Sequence, residues 1–253
     1  MMRYFIHISY NGTGYYGWQI QANKPTIEAE LERSMSLLLS ENVDLTGCGR
    51  TDTGVNARNF YAHFDHSPMT NDQITDLIRR LNRFISRNIK VLNIYSMAKN
   101  DANARFDALK RTYKYFVSTD KQPFLNDFCL FFPHRIDLKA MNNAAEYLLH
   151  YEDFTSFSKA KTQVKTNICH IEKAQWTREN DLYVFEIKAN RFLRNMVRAI
   201  VGTLLEVGRG KISAEDFRKI IEEKDRKAAA TSVIGSALFL ETVEYNPAIF
   251  NTN

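Results

Sequence analysis

The segment GCGRTDTGVNARNFYAHFD, residues 47–65, holds the densest set of side chains able to do chemistry. Asp52 lies in it, with Arg50 and Arg58 on either side. A carboxylate between guanidinium groups stays ionised and can act as a nucleophile or a base. The same spacing also fits an aspartate that caps a turn, helped by its threonine and glycine neighbours. From the residues alone both interpretations stay open.

Two clusters of basic side chains accompany this segment. The first lies on a predicted helix and its exit and comprises Arg79, Arg80, Arg83, Arg87 and Lys90. The second comprises Lys188, Arg191, Arg194 and Arg198. Such clusters are typical of contact with nucleic-acid phosphates, although a solvated helix face has the same composition. The net charge of +5 agrees with a polyanionic partner.

Hydrophobic periodicity predicts the elements that position Asp52. The spacing favours a strand over 3–10, a helix over 26–40, strands over 43–49 and 58–65, a helix over 71–86 and a strand over 90–96. Thr70 and Gln73 have the spacing of a capping box at the start of the second helix. The order is β-α-β-β-α-β, and Asp52 falls in the loop between the two middle strands.

The same order of elements is predicted again in the second half. It comprises a strand over 111–118, a helix over 137–149, strands over 165–176 and 181–190, a helix over 191–208, an extra helix over 214–223 capped by Ser213 with Asp216, and a strand over 237–244. The expected fold is α+β, with two ferredoxin-like halves, 1–104 and 105–253, joining antiparallel sheets around a central basic cleft. In a helix over 191–208, Arg191, Arg194 and Arg198 would share one face.

A turn near the start has glycines at GxGxxG spacing: Gly12, Gly14 and Gly17. A dinucleotide-binding fingerprint needs a helix to open at the third glycine, and here Pro25 delays the helix. The turn also carries the aromatic residues Tyr15, Tyr16 and Trp18. These favour an exposed loop that stacks on RNA bases, although packing back onto the core is equally compatible with the sequence.

Composition narrows the class of protein. Of the 253 residues, 44% are hydrophobic and 25% are charged, and no apolar run approaches the roughly 20 residues of a membrane span. The N-terminus alternates like a strand and lacks the features of a secretory signal. Cys48, Cys129 and Cys169 are far apart and form no CxxC pair, which argues against a zinc site or a redox centre. We expect a cytoplasmic protein.

Several blocks resemble a known family. GRTDTGV, followed by HF, is similar to the active-site signature GRTDAGVHA of the TruA family of tRNA pseudouridine synthases. YNGTGYYGWQ, ARFDALKRTYKY, DFTSFS and IKANRFLRNMVRAIVGTLLEVG resemble further blocks of that family, in the same order. The resemblance implies a homodimeric isomerase that needs no cofactor and converts uridine to pseudouridine at positions 38, 39 and 40 in the anticodon arm of tRNA.

The resemblance also implies roles for individual residues. Asp52 would be the essential catalytic aspartate, and Arg50 would help to displace the target nucleotide from its stack. Tyr113 would stack on the uracil and help to move the C5 proton, while Arg198 would pair with the aspartate. Leu238 would lie in the apolar wall of the pocket. From the basic clusters and the catalytic segment, Arg58, Arg191 and Arg194 join the predicted substrate-binding set.

The sequence departs from the family pattern near Asp52. Thr53 stands where the family commonly has alanine, Asn56 where it has histidine, and Asn59 with Phe60 where it has a Gly-Gln pair. These differences bear on which uridines are accepted rather than on the reaction itself.

The isomerisation sets clear chemical demands. The N1–C1′ bond breaks, the uracil turns, and C5 bonds to C1′, with no redox change and no water consumed. A stacked target must first be extruded, at a cost of a few kcal/mol. Attack by Asp52 on C1′, attack on C6, and abstraction of the 2′ proton all remain open.

Two other functions fit parts of the sequence. His63, Asp65 and His66 with Asp52 would suit a metal-dependent RNA phosphoesterase. Polar side chains facing solvent at a strand end explain this cluster more simply, and we expect no metal. Ferredoxin-like sheets with aromatic residues and basic flanks also serve as passive RNA-binding scaffolds.

Overall fold

The computed structural model describes residues 1–159 and 166–251. The chain forms two compact units. Unit 1 comprises Met1–Leu109 together with the described residues from Leu240 onward, and unit 2 comprises Lys110–Phe239. Both combine helices with strands, so the fold is α+β, as predicted. The domain boundary predicted at 104/105 stays a prediction, because compactness does not show that either part folds alone.

Unit 1 begins with six elements in the predicted order. They are β1 (Met2–Tyr10), α1 (Ile27–Leu39), β2 (Thr46–Gly47), β3 (Asn56–His66), α2 (Asn71–Phe84) and β4 (Ile89–Ser96). The strands are ordered β4-β1-β3-β2, and every neighbouring pair is antiparallel. Along β1, Tyr4, Ile6 and Ile8 alternate on one buried face of this sheet.

Local capping sets the starts of the helices of unit 1. The Thr26 side chain accepts a hydrogen bond from Ala29 N at the start of α1. Thr70 and Gln73 form the predicted capping box of α2. The Asn82 side chain then bonds both the N–H and the C=O of Val91, which fastens α2 to the edge strand β4. The loop after β2 is thus carried by a sheet with helices anchored to it.

The strand predicted over 43–49 is much shorter in the structure, where β2 spans only Thr46–Gly47. Val43 N donates to Ser36 Oγ at 3.0 Å, and Leu45 N donates to Glu32 Oε1 at 2.7 Å. Both acceptors belong to side chains of α1. Because these side chains take the backbone donors, the preceding residues do not pair with β3, and the predicted extent was wrong.

Unit 2 repeats the order of elements with additions. Its elements are β5 (Lys110–Ser118), β6 (Leu130–Phe131), α3 (Leu138–Glu146), β7 (Ile171–Glu179), β8 (Leu182–Ala189), α4 (Met196–Gly208), α5 (Ala214–Glu223) and the start of β9 (Leu238–Glu244). The strands run β5-β8-β7 with antiparallel neighbours, while β6 is parallel to β5. Phe116 N of β5 donates to Ala237 O, just before β9. Ser213 and Asp216 form the predicted capping box of α5.

The strand predicted to begin at 165 begins at Ile171, and residue 165 itself lies outside the described residues. Residues just before β7 bond elsewhere: Phe154 N donates to Asn167 O at 3.2 Å, and Cys169 N donates to Glu152 O at 2.9 Å. These bonds keep the chain from joining the sheet earlier.

No helix within 1–159 or 166–251 combines the length and apolar content needed to cross a membrane.

Candidate active site

Asp52 lies in unit 1 on the loop between β2 and β3, as predicted. Its side chain is half-buried, Thr51 before it is buried, and Arg50 is exposed. Val55 N donates to Asp52 O at 3.1 Å, and Gly54 has a φ of +76°, so the chain turns sharply just after the carboxylate. The loop therefore presents Asp52 on a tight, hydrogen-bonded turn.

A second loop of unit 1, residues 11–18, holds this turn in place. Trp18 N donates to Thr51 O at 3.3 Å, and Gly54 N donates to Tyr15 O at 3.2 Å. The hydroxyl groups of Tyr10 and Thr51 share a hydrogen bond of 2.9 Å. The backbone on both sides of Asp52 is thereby fixed by a neighbouring segment, which favours a preorganised carboxylate.

Two of the three glycines in the rejected dinucleotide motif serve this contact. A Cβ on Gly17 would lie 2.3 Å from Thr51 O, and Gly17 has a φ of +89°. A Cβ on Gly12 would lie 2.3 Å from Val55 O, whereas Gly14 has a φ of +84° and nothing within 4 Å. Gly12 and Gly17 therefore let the loop touch the turn that carries Asp52, while Gly14 only adopts a left-handed backbone conformation.

Gly17→Ala is expected to lower the free energy of unfolding by about 2 to 3 kcal/mol, because it combines a positive φ with a clash against backbone. Gly14→Ala is the matched control, and strain alone should cost it about 1 kcal/mol. Gly12→Ala tests the clash without the positive φ. Urea-induced unfolding measures all three, and equal losses at the three positions would contradict the role assigned to close approach.

The aromatic residues of this loop are not all exposed. Tyr15 and Trp18 are buried, so the prediction of an RNA-facing loop was wrong for both. The Trp18 ring stacks on Phe60 with centroids 4.2 Å apart, and the Tyr15 hydroxyl donates to Glu30 Oε2 at 2.6 Å. Tyr16 is exposed, and the Lys24 ammonium lies 4.5 Å from its ring centroid. Packing onto the core, the alternative interpretation, therefore describes two of the three.

The departures from the family pattern have structural roles. Asn56 is buried, and its Oδ1 accepts a hydrogen bond from Gly12 N at 2.8 Å. Phe60 is fully buried against Trp18, which couples the 11–18 loop to β3. Asn59 Nδ2 donates to Glu241 O at 2.7 Å. These residues secure unit 1 around the turn that carries Asp52, and nothing in the structure explains Thr53.

Arg58, predicted to bind substrate, lies on β3 with its side chain 59% exposed. Its Nε donates to Glu241 Oε1 at 3.0 Å. More than half of the Arg58 side chain is open to solvent, whereas Glu241 is only 18% exposed. Arg58 therefore remains accessible to a phosphate.

The first basic cluster lies on α2 and its exit, as predicted. Its members Arg79, Arg80, Arg83, Arg87 and Lys90 are all exposed. Arg79 and Arg80 form ion pairs with Asp76 on the same helix. Contact of this cluster with phosphates stays a prediction.

Tyr113 lies in unit 2 on β5, paired with Ile187 of β8. The Phe192 ring meets the Tyr113 ring edge to face, with centroids 5.2 Å apart. The sequence reasoning missed Phe192, whose only signal was its place among the arginines of 191–198. The Phe192 ring therefore packs against the Tyr113 ring in the favoured edge-to-face geometry.

Tyr115 lies two residues further along β5, on the same face as Tyr113. Its buried hydroxyl donates to Ile234 O at 3.0 Å. Burial raises the pKa of this hydroxyl above its usual range, and the charge of Arg198 partly opposes that rise. Arg198 therefore lies within electrostatic reach of the strand face that carries Tyr113.

The helix predicted over 191–208 begins only at Met196. The prediction that Arg191, Arg194 and Arg198 share one helical face was therefore wrong. Asn195 has a φ of +66°, and its side chain bonds Ser232, so the chain bends before the helix begins. Arg198 lies in the first turn, and its Nε donates to Val233 O at 2.7 Å. The two other arginines lie in the loop before α4.

That loop forms hydrogen bonds with Lys159 and Thr166. Arg191 Nη1 donates to Thr166 O at 3.5 Å, and Lys159 N donates to Arg194 O at 3.2 Å. Leu238 is buried, and its N–H bonds Gly235 O at 2.9 Å. Its predicted place in a pocket wall stays a prediction.

The residues proposed for a metal-dependent phosphoesterase do not converge on one site. His63 is buried, and its Nδ1 accepts a hydrogen bond from Ala104 N at 3.0 Å. Burial lowers the pKa of His63 to about 4. Asp65 pairs with Arg3, and His66 pairs with Glu41. Across 1–159 and 166–251, no group of three histidine, cysteine or acidic side chains is arranged to hold a metal ion.

Comparison with known proteins agrees with these features. Residues 144–246 match the family model for tRNA pseudouridine synthase. The tRNA pseudouridine synthase A of Parabacteroides distasonis is 50% identical over 250 residues, covering 99% of this chain and 98% of the relative. That of Bacteroides thetaiotaomicron is 51% identical over 254 residues, covering 99% and 93%, and that of Francisella tularensis is 37% identical, covering 97% and 95%. The resemblance is confirmed: this chain belongs to the TruA family, the tRNA pseudouridine synthase A isomerases.

Proposed function

We propose that this chain isomerises uridine to pseudouridine at positions 38, 39 and 40 of the tRNA anticodon arm, with Asp52 as nucleophile or base and without a cofactor. The observation that carries the proposal is the position of Asp52. It lies in the GRTDTGV motif of a chain whose relatives match it over nearly its full length, on a turn fixed by a neighbouring loop.

Asp52 suits a reaction that needs one carboxylate. Breaking the N1–C1′ bond calls either for a nucleophile at C1′ or C6, or for a base at the 2′ proton. A carboxylate held on a rigid turn supplies any of these without reorganising in the transition state. A glycosidase would need a second, spaced carboxylate, which this reaction does not.

Tyr113 and Arg198 take the partner roles that the resemblance assigns. The edge contact with Phe192 supports Tyr113 as a stacking platform whose hydroxyl can move the C5 proton. Arg198 is held by its bond to Val233 O. A guanidinium held in this way can stabilise a carboxylate in the charged form.

The remaining predicted residues bind the RNA. Arg50 displaces the target nucleotide, and Leu238 contributes an apolar wall for the extruded base. Arg58, Arg191 and Arg194 contact phosphates, and the exposure of Arg58 supports this role. The cluster on α2 adds charge for a longer RNA.

We propose that the units correspond to two ferredoxin-like halves. The order β4-β1-β3-β2 in unit 1 supports this, as does β5-β8-β7 in unit 2, where the residues entering β9 bond β5. The central basic cleft stays a prediction. The family resemblance supports a homodimer acting on one tRNA, and such a substrate places the reaction in the cytoplasm.

Release of tritium from C5-labelled uridine tests the function, because C5 loses its proton only when it bonds to C1′. The chain should release tritium from a tRNA with uridine at positions 38–40, with or without a chelator. A matched tRNA in which those uridines are replaced by cytidine should release none. Tight tRNA binding without release would instead indicate a passive scaffold.

A further inference from the structure

A carboxylate with no assigned role lies in the first turn of α1. Glu28 is 3% exposed, and its carboxylate accepts three hydrogen bonds. Trp18 Nε1 donates to Oε1 at 3.0 Å, while Gln19 Nε2 and Ile20 N donate to Oε2 at 2.6 Å and 2.8 Å. Burying a carboxylate is costly unless several donors compensate it. The Glu28 carboxylate therefore holds the segment 18–20 in place through these three hydrogen bonds.

The segment that Glu28 organises adjoins the catalytic turn. Glu28 N donates to Trp18 O at 3.1 Å, while Trp18 N donates to Thr51 O at 3.3 Å. Burial raises the pKa of the Glu28 carboxyl, and the donating N–H of Ile20 opposes that rise. The backbone next to Asp52 and the side chain of Glu28 thus hold the same short segment from opposite sides.

Gln19 connects the Glu28 carboxylate to Arg50. Its Nε2 donates to Glu28, and its Oε1 accepts a hydrogen bond from Arg50 Nε at 3.2 Å. The direction of the amide is determined by its partners, because a carboxylate can only accept and a guanidinium can only donate. A reversed amide would break both bonds, so Glu28 fixes which atom Gln19 turns toward Arg50.

The contact with Gln19 uses Arg50 Nε alone. Directing that N–H inward orients the plane of the guanidinium, whose outer nitrogens can then meet an anion or a base edge. An exposed arginine otherwise samples many rotamers, and ordering it at the moment of binding costs free energy. Preordering by Gln19 removes part of that cost.

We propose that Gln19, oriented by Glu28, is a positioning residue that holds the guanidinium of Arg50 ready to displace the target nucleotide. The inference rests on the proposed function, since it concerns how efficiently the uridine is extruded. Both Gln19 and Arg50 are exposed, so losing their bond should change stability little and leave the effect on the reaction readable.

A double-mutant cycle tests the proposal with full-length tRNA. Gln19→Leu should lower kcat about 10- to 100-fold, since misplacing a positioned group has effects of this size. Its Kd for tRNA should stay close to that of the wild type. Because the variant also removes a donor to the buried Glu28 carboxylate, it should lower the free energy of unfolding by about 1 to 3 kcal/mol, so kcat is compared per folded molecule. Arg50→Ala should lower kcat by at least as large a factor. The double variant should have the same kcat as Arg50→Ala alone, because Gln19 acts through Arg50. Gln21→Leu is the matched control: Gln21 is exposed, two residues away, and bonds Tyr16 O.

A second substrate separates positioning from general damage. In an anticodon stem-loop with the target uridine opposite a mismatch, extrusion costs less, so the loss in Gln19→Leu should shrink to less than about threefold. The proposal would be overturned if the factors by which the two single substitutions lower kcat multiplied in the double variant. An unchanged kcat in Gln19→Leu would overturn it as well. Absence of pseudouridine in the wild type would instead refute the proposed function.

Discussion

Asp52→Ala is expected to abolish pseudouridine formation while tRNA binding persists. Without the carboxylate, neither covalent attack nor removal of the 2′ proton can begin the reaction. Affinity depends mostly on phosphate contacts, and removing a negative charge does not weaken them, so Kd should stay within about threefold. Tritium release in single turnover and filter binding at fixed salt measure the two quantities.

Asp52→Asn provides a second variant, because the amide keeps the size of the side chain and the backbone bonds of the turn. It should be as inactive as Asp52→Ala. Asp101→Ala, at an exposed carboxylate outside the motif, is the control and should match the wild type. Full activity in either Asp52 variant would end the assignment of this residue.

Tyr113→Phe is expected to slow the reaction by about 10³-fold, because it keeps the ring that stacks on uracil but removes the hydroxyl that moves the C5 proton. The contact with Phe192 should survive, so tRNA affinity should change little. Single-turnover rates with C5-deuterated and unlabelled substrate, compared for the variant, should show whether it slows the removal of the C5 proton.

Tyr115→Phe is the matched control on the same strand face. It removes the bond from the buried hydroxyl to Ile234 O, so it should lower the free energy of unfolding by about 1 to 2 kcal/mol. Its rate per folded molecule should stay near that of the wild type. If Tyr113→Phe reacts at the wild-type rate, the hydroxyl has no part in proton transfer.

Features set by neighbours in sequence were predictable. The capping boxes Thr70 with Gln73 and Ser213 with Asp216 were confirmed, because each depends on residues three positions apart. The loop position of Asp52 followed from strand periodicity on either side. The motif around Asp52 and the ordered blocks sufficed to identify the family.

Features set by distant partners were not predictable. Trp18 stands among glycines and polar residues, and its burial depends on Phe60 and Glu28, which the fold brings close. The start of α4 depends on Asn195, whose side chain bonds Ser232 far along the chain. Nothing near either residue in sequence carries that information.

The position of Gln19 between Glu28 and Arg50 was likewise hidden from the sequence. Gln19 and Arg50 are 31 residues apart, and their bond exists only because the loop before α1 folds against the catalytic turn. The spacing of Gly12, Gly14 and Gly17 resembles a dinucleotide-binding fingerprint, which the late start of the helix argues against, and it does not predict the contact between loops that the structure shows.

Unit 1 is built from two segments that are far apart in the sequence, which affects when it can form during synthesis. Ala98 N bonds Ile249 O, Tyr245 donates its hydroxyl to Ala104 O, and Phe5 packs against the Tyr245 ring. A ribosome releases residues 1–109 long before residues 240–251. Unit 1, which carries Asp52, therefore lacks these contacts until residues 240–251 have been synthesised, so a nascent chain should complete unit 1 only after the whole of unit 2 has been made.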